Sequence, residues 1–322
     1  MIRAKAFTHL GISFALTLCA VPSRAAEPSV EWLPPWQGGA NNPAIDKGLE
    51  FTVKEADNLA DFHGDLTNAK LILYVGGNYF FAMAPLVVAF EAKHPELKGR
   101  VYYETIPPGL LVRQMKAGGR ITVGNMTWTA KPDAYFSGLM AVNRLIDDGD
   151  LVGPPTVYAT NQLAIMVPKG NPAGVKGLAD LGRPDIKLAM PNPDYEGVAR
   201  QIKAALAKAG GDALVTAVYE TKVAGGSTHL TRMHHRQTPV WLMQGKAEAG
   251  VTWRSETLFQ EQAGLPTERI DIPADLNATG IYAGAVVRGA PHPTEAKLWL
   301  EFLLSDEARS IFARYGFGAY RP

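Results

Sequence analysis

The chain has 322 residues, with 32 basic against 31 acidic side chains and 47% hydrophobic residues. That balance suits a globular protein and supplies no basic stripe for nucleic acid. Its single cysteine, Cys19, falls inside the N-terminal leader described next, so the rest of the chain has no disulfide, thiolate metal ligand or cysteine nucleophile.

Arg3 and Lys5 precede an apolar run from Gly11 to Val21 that is too short for a stable membrane span. Pro22 ends the run, and Ser23 and Ala25 are the small residues a signal peptidase reads. This order predicts an export signal over 1–25, with cleavage after Ala25. Leu18, immediately before Cys19, does not suit a lipid-attachment site, so a freely soluble periplasmic protein is expected. Loss of Arg3, Lys5 and Arg24 leaves 29 basic residues against 31 acidic ones, a mature charge of about −2. No later stretch approaches the roughly 18 apolar residues of a membrane span. The expectation is a monomer that is not embedded in a membrane.

Residues 26–69 are dense in turn formers and lack a helical period. They are expected to wrap the surface, with Trp32 and Trp36 as anchors. From Lys70 the pattern becomes regular. KLILYVGG reads as a strand ended by glycines, followed by the helical NYFFAMAPLVVAFEAKHPE. RVYYETI then PPGLLVRQMKAGG repeat strand, break and helix; ITVGNMTW and AVNRLIDDG do so less clearly. NQLAIMVPK is a strand, LADLGRP a short helix, and IKLAMPNP runs into YEGVARQIKAALAKAGG. TPVWLMQGKA precedes AEAGVTW, and TGIYAGAVV precedes the closing helical segment PTEAKLWLEFLLSDEARSIFARYGF. Strands alternating with helices predict an α/β protein with largely parallel sheets covered on both faces. No fixed-period repeat supports a solenoid or propeller.

The stretch IMVPKGNPAGVKGLADLGRPDIKLAMPNPDYEGVARQIKAALAKAG resembles the middle of the periplasmic molybdate-binding protein family, a branch of the type II solute-binding proteins. GKAEAGVTWRSE resembles the same family's G-x-A-x-A-G-x-x-Y segment, with Trp253 where an aromatic is expected, and AKLWLEFLLSDEARSIFARYGF resembles its closing helix and tail. The likeness covers roughly Lys70 to Phe317. It implies a type II periplasmic-binding-protein clamshell: two lobes, each a mostly parallel sheet flanked by helices, joined by two hinge crossovers. Lobe one would comprise 70–158 and 279–322, and lobe two 159–278. It also implies a small-molecule or ion ligand and an inner-membrane ABC permease as partner, or a sensor kinase if the clamshell signals.

In open parallel sheets ligands sit beyond the carboxyl ends of strands, where helix N-termini offer free N–H groups and partial positive charge. Four such junctions are legible. Gly76-Gly77-Asn78-Tyr79 follows the first strand, with Asn78 and Tyr79 as candidate contacts. Glu104-Thr105-Ile106-Pro107-Pro108-Gly109 offers the Thr105 hydroxyl, but the prolines lack donors and Glu104 would repel an anion if turned inward. Pro191 to Gly197 offers Tyr195, Glu196 and Gly197; the acidic residues there also suit a helix N-terminus. The fourth is His234-His235-Arg236-Gln237-Thr238-Pro239.

In the last cluster Arg236 could pair bidentately with an oxyanion or carboxylate, and the imidazoles add groups that titrate near neutrality. Adjacent histidines do not share a helix face, so His234 and His235 alone would chelate poorly; metal binding would need Glu104, Tyr103 or His229 as well. Motifs for a nucleophile elbow, a zinc protease or a Walker A loop are absent, and G-x-G-x-x-G spacing is not met. The expectation is a binding protein with no catalytic residue and no cofactor, taking a small oxyanion of the molybdate or tungstate type. A metal ion or a small carboxylate is the alternative ligand.

Overall fold

The computed structural model describes residues 62–320, apart from 124–125, 195 and 232–233. The expected signal (1–25), Trp32, Trp36 and most of the expected extension (26–69) lie outside the described residues. The last part of that extension contributes a strand, β1 (Phe62–His63), which pairs antiparallel with the edge of the first sheet.

From there strands and helices alternate. β2 (Leu71–Gly76) leads through a 3₁₀ turn, Gly77–Tyr79, into α1 (Phe80–Lys93). β3 (Val101–Ile106) leads into α2 (Pro108–Lys116), and a hairpin, β4 (Arg120–Val123) with β5 (Met126–Thr129), precedes β6 (Ala134–Gly138) and α3 (Leu139–Asp147). The hairpin accounts for the weak alternation of ITVGNMTW. β7 (Leu151–Pro168) is an 18-residue strand. β8 (Leu188–Met190) is followed by α4 (Val198–Thr216), β9 (Thr228–Leu230), the short α5 (Gln237–Met243), β10 (Ala249–Trp253) and α6 (Arg254–Gln262). β11 (Thr267–Asp271), β12 (Thr279–Val287), α7 (Pro293–Leu303) and α8 (Asp306–Arg314) complete the chain. The glycine pair ending KAALAKAGG breaks α4, with Gly211 at φ 67°, but the chain resumes its helix beyond it.

Apart from the separate β4-β5 pair, the strands form one path, β1-β3-β2-β6-β12-β7-β10-β8-β9, with β11 also on β7. β2 is parallel to β3 and β6, and β8 is parallel to β9 and β10. These are the pairings that helical crossovers allow. β7 and β12 run antiparallel to each other and to their outer neighbours, and they connect the two lobes. This is the α/β architecture that the strand–helix order predicted, in the clamshell form with two crossovers that the family resemblance implied.

Each lobe is packed on both sheet faces, as the apolar strands require. Alternation along β2 sends Leu71, Leu73 and Val75 to a core with Leu86, Phe90 and Trp299, and Ile72 and Tyr74 to another with Leu111 and Leu145. In lobe two, Leu163, Ile165 and Val251 pack on Ile202 and Leu206 of α4, while Met166 and Ala189 meet Leu242 from α5. Each buried side chain of this size contributes about 1.5–3 kcal/mol. Both faces being filled leaves only the strand ends and helix N-termini to meet a ligand.

The Phe136 ring of β6 lies over its cross-strand partner Gly284 of β12, and a Cβ on Gly284 would run into that ring. Gly284→Ala should cost about 1–3 kcal/mol, read as a lower urea midpoint at unchanged slope. A wild-type midpoint would show that the ring yields freely.

Candidate functional site

Between the lobes lies a cleft of about 280 Å³. Lobe one contributes Asn78, Ser137, Gly138 and Met140, lobe two Gly197, Arg200, His234, His235 and Trp253, and β12 adds Gly280 and Tyr282. Two helices begin at its walls: α3, with Gly138 as N-cap, and α4, with Gly197 as N-cap. Neither has a side-chain cap or an acidic residue in its first turn. The peripheral α8 is built oppositely: Ser305 accepts from the Ala308 N–H at 3.2 Å, and Asp306 and Glu307 fill its first turn. Sterics do not demand glycine at the cleft. Gly138 and Gly197 have φ of −63° and −58°, and a Cβ on either would meet no atom closer than 3.9 Å. Having no side chain there leaves both helix starts uncapped by side chains, although at α4 the Ala199 and Arg200 N–H groups donate to the Glu196 and Gly197 carbonyls at 3.1 and 3.2 Å.

Asn78 lines the cleft and donates from Nδ2 to the Tyr282 hydroxyl. Asn161, on β7, donates to Ser255 at 2.7 Å. Trp253, at the end of β10, stacks edge-on against Tyr282 with ring centroids 5.9 Å apart. Tyr79 instead points into the core of lobe one, where its hydroxyl meets that of Tyr158 at 2.6 Å. Thr105 is fully buried, and Tyr195 lies outside the described residues.

Glu104 does not face the cleft. Alternation on β3 sends it to the far side of the sheet, where Oε1 accepts from Tyr102 at 3.0 Å and Gln114 at 3.1 Å while Oε2 has no hydrogen-bond partner. Burial pushes its pKa up to about 7, against the lowering effect of those donors. It therefore neither repels a cleft anion nor joins the histidines on a metal. Tyr103 stacks on His63 of β1, with centroids 4.5 Å apart, and is likewise absent from the cleft wall.

The His-His-Arg segment is buried, and it forms a turn ahead of α5 rather than part of the helix. The two imidazoles can therefore lie side by side, with centroids 3.8 Å apart. His235 sits between two carboxylates, with Nδ1 2.8 Å from Glu196 and Nε2 3.0 Å from Glu256. Burial disfavours its cation, but Glu256 and Glu196 together outweigh burial and raise the imidazole to about 9. His234 is shifted the other way, by burial and by its neighbours His235 and Arg236. Glu196 also accepts from the Thr231 hydroxyl and the Asn192 N–H, which turns its carboxylate back into lobe two.

Arg236 is not in the cleft wall. It crosses from lobe two to lobe one, donating from Nε to the Gly77 carbonyl and from Nη2 to the Thr105 carbonyl, each at 2.6 Å. Its guanidinium lies 4.3 Å from the centre of the Phe80 ring. A Cβ on Gly77 would stand 2.6 Å from Nη2, so a larger residue there would displace the guanidinium. The planar fork is satisfied by backbone across the lobe boundary, so Arg236 closes the clamshell rather than pairing with a ligand. Ser137-Gly138, Arg200, Glu256 and Tyr282 were not singled out from the sequence. The small pair ending AYFSG before LMAVNRLID was the available signal for the first; Glu256 carried none, because its role depends on contacts made by folding.

The family profile for bacterial extracellular solute-binding proteins matches residues 71–318. The YvgL protein of Bacillus subtilis (strain 168), described as an ABC transporter substrate-binding lipoprotein, is 28% identical over 192 residues, 59% of this chain and 68% of its own. The molybdate-binding protein ModA of Mycobacterium tuberculosis (H37Rv) is 24% identical over 240 residues, 74% of this chain and 82% of its own. The periplasmic molybdate-binding protein of Azotobacter vinelandii superposes with a TM-score of 0.62 at 16% identity, covering 78% of this chain and 100% of that one. The chain belongs to the bacterial extracellular solute-binding proteins.

Arg236→Ala removes two charge-assisted bonds, each worth about 1.5–3 kcal/mol, from the closed arrangement. The ligand-free variant should show a larger radius of gyration by small-angle scattering than wild type; an equal radius would mean that closure does not depend on Arg236. Glu104 yields a stability prediction of definite sign. The folded protein holds its proton up to about pH 7, whereas the unfolded chain releases it near the ordinary 4.5. Stability should therefore fall by about 3 kcal/mol as pH rises from 4.5 through 7. Glu104→Gln should flatten that slope in urea titrations, and a slope unchanged in the variant would assign it to other groups.

Proposed function

We propose, proceeding from that family membership, that the protein is exported by its N-terminal signal and captures a small oxyanion of the molybdate or tungstate type for an inner-membrane ABC permease. The observation that carries this reading is the pair of helix N-termini without side-chain caps, at Gly138 in lobe one and Gly197 in lobe two, both lining the cleft. An anion held between them meets the partial positive charges of two helix starts, with the Arg200 side chain also lining the cleft. Closure removes water from the same space and strengthens those interactions. The hinge strands absorb the motion, and Arg236 docks lobe two on lobe one behind the ligand. Capture and release need no bond to be made or broken, so the protein acts as a binding protein rather than an enzyme.

The volume and the lining by Leu139, Met140, Ile281 and Trp253 favour a second reading, in which the anion is a small carboxylate with an organic body. Thermal shift separates the two, because a ligand that binds only the folded state raises the melting temperature. Molybdate or tungstate should raise it on the first reading; a response confined to organic acids selects the second. Gly138→Asp tests the site itself. An aspartate N-cap is sterically allowed and suits the helix, so the fold should stand while its carboxylate occupies the anion position. Anion affinity should fall at least a hundredfold, and unchanged affinity would place the anion elsewhere.

A further inference from the structure

We propose that His234, His235 and Glu256 form a binding site for a divalent transition-metal ion of the zinc class, set in the lobe-two wall of the cleft. A ring nitrogen from each histidine and a carboxylate oxygen of Glu256 lie within 4.8 Å of one another, and all three residues are buried. His235 Nε2 and Glu256 Oε1 face each other as a buried ion pair at 3.0 Å, and neither atom has an aligned hydrogen bond. At that distance an aligned N–H would make a good bond, so the nitrogen is directed past the oxygen. A buried ion pair without aligned hydrogen bonds does not recover its desolvation cost. A shared metal ion resolves it: two ligands bonded at about 2.0–2.2 Å sit roughly 3.0–3.4 Å from each other.

The surroundings hold one atom of each ligand: His234 Nδ1 accepts from the Arg236 N–H at 3.2 Å, and His235 and Glu256 are each tied at one atom only. His235 Nδ1 is tied to Glu196 at 2.8 Å, and Nε2 is open. Glu256 Oε2 is tied to the Thr252 hydroxyl, and Oε1 is open. Glu196 is fixed in turn by Thr231 and Asn192. A carboxylate behind a ligating imidazole orients the ring and strengthens it as a donor. Two imidazoles with one carboxylate suit zinc, cobalt or nickel rather than calcium or magnesium, which take oxygen ligands. Three protein ligands leave further coordination positions, and His234 and His235 line the cleft through which an ion would enter. This inference does not depend on the oxyanion reading.

The test uses untagged protein stripped with EDTA and titrated with zinc by calorimetry, with cobalt(II) as an optical probe. One equivalent of zinc per chain is expected, with visible cobalt bands from nitrogen and oxygen ligation. Glu256→Gln and His234→Ala should each weaken zinc at least tenfold. Glu196→Gln, which leaves all three ligands in place, should weaken it about 10–100-fold. Absence of stoichiometric zinc binding in the wild type overturns the site, as does binding that none of the three variants alters. Circular dichroism checks folding, and if Glu256→Gln does not fold, His234→Ala and Glu196→Gln decide. A molybdate titration of the same stripped protein keeps the two readings apart. Molybdate bound but no zinc overturns this site alone; zinc bound but no molybdate leaves it standing and removes the oxyanion.

Discussion

The antiparallel pairing of β7 with β12 is the constraint on which the rest depends. It runs from Thr279 opposite Gln162 to Val287 opposite Leu151, with register shifts at Tyr282/Ala283 and between Gly284 and Val286. Lobe one hangs from it through β6, and lobe two through β10 and β11. Shared backbone bonds keep the lobes in one register, while the two-strand width leaves a place that can bend. The same ribbon brings Tyr282 to the base of the cleft, within reach of Asn78 from lobe one and Trp253 from lobe two.

Given that ribbon, the charges of the cleft sort themselves by depth. Carboxylates near it are turned away or paired: Glu104 lies beyond the sheet, and Glu196 and Glu256 clasp His235. Arg236 spends its guanidinium on lobe-one carbonyls. What faces the open volume is two helix starts, apolar side chains such as Leu139, Met140, Trp253 and Ile281, and the Arg200 side chain. Such a surface suits a ligand that must be bound selectively and then handed on. A cation in the His234, His235 and Glu256 cluster would add positive charge to one wall without altering the helix ends.

The strand–helix alternation from Lys70 onward was legible because period-two and helical patterns are local, and KLILYVGG, RVYYETI and IKLAMPNP read correctly as strands. β7 was shorter in the sequence reading than in the fold. Its first half, LVGPPTVYAT, contains two prolines and many half-exposed positions, and only pairing with β12 makes it a strand. Asn78, Glu196, Gly197, His234 and His235, expected at strand-to-helix junctions, and Trp253, expected from the family resemblance, all line the cleft.

The sequence by itself determined the class of fold, because hydrophobic period and turn residues act over a few positions and the order of motifs carries the clamshell. Tertiary structure alone decided which way each polar side chain faces. One step along β3 separates Tyr103, packed in the core with Leu73 and Val75, from Glu104, buried on the opposite face beside Tyr102 and Gln114. Whether Arg236 meets a ligand or a carbonyl depends on a partner 159 residues away in the chain, and whether His235 stands alone depends on Glu196, 39 residues away. Those distances in sequence are closed only by packing, so no local pattern could report them.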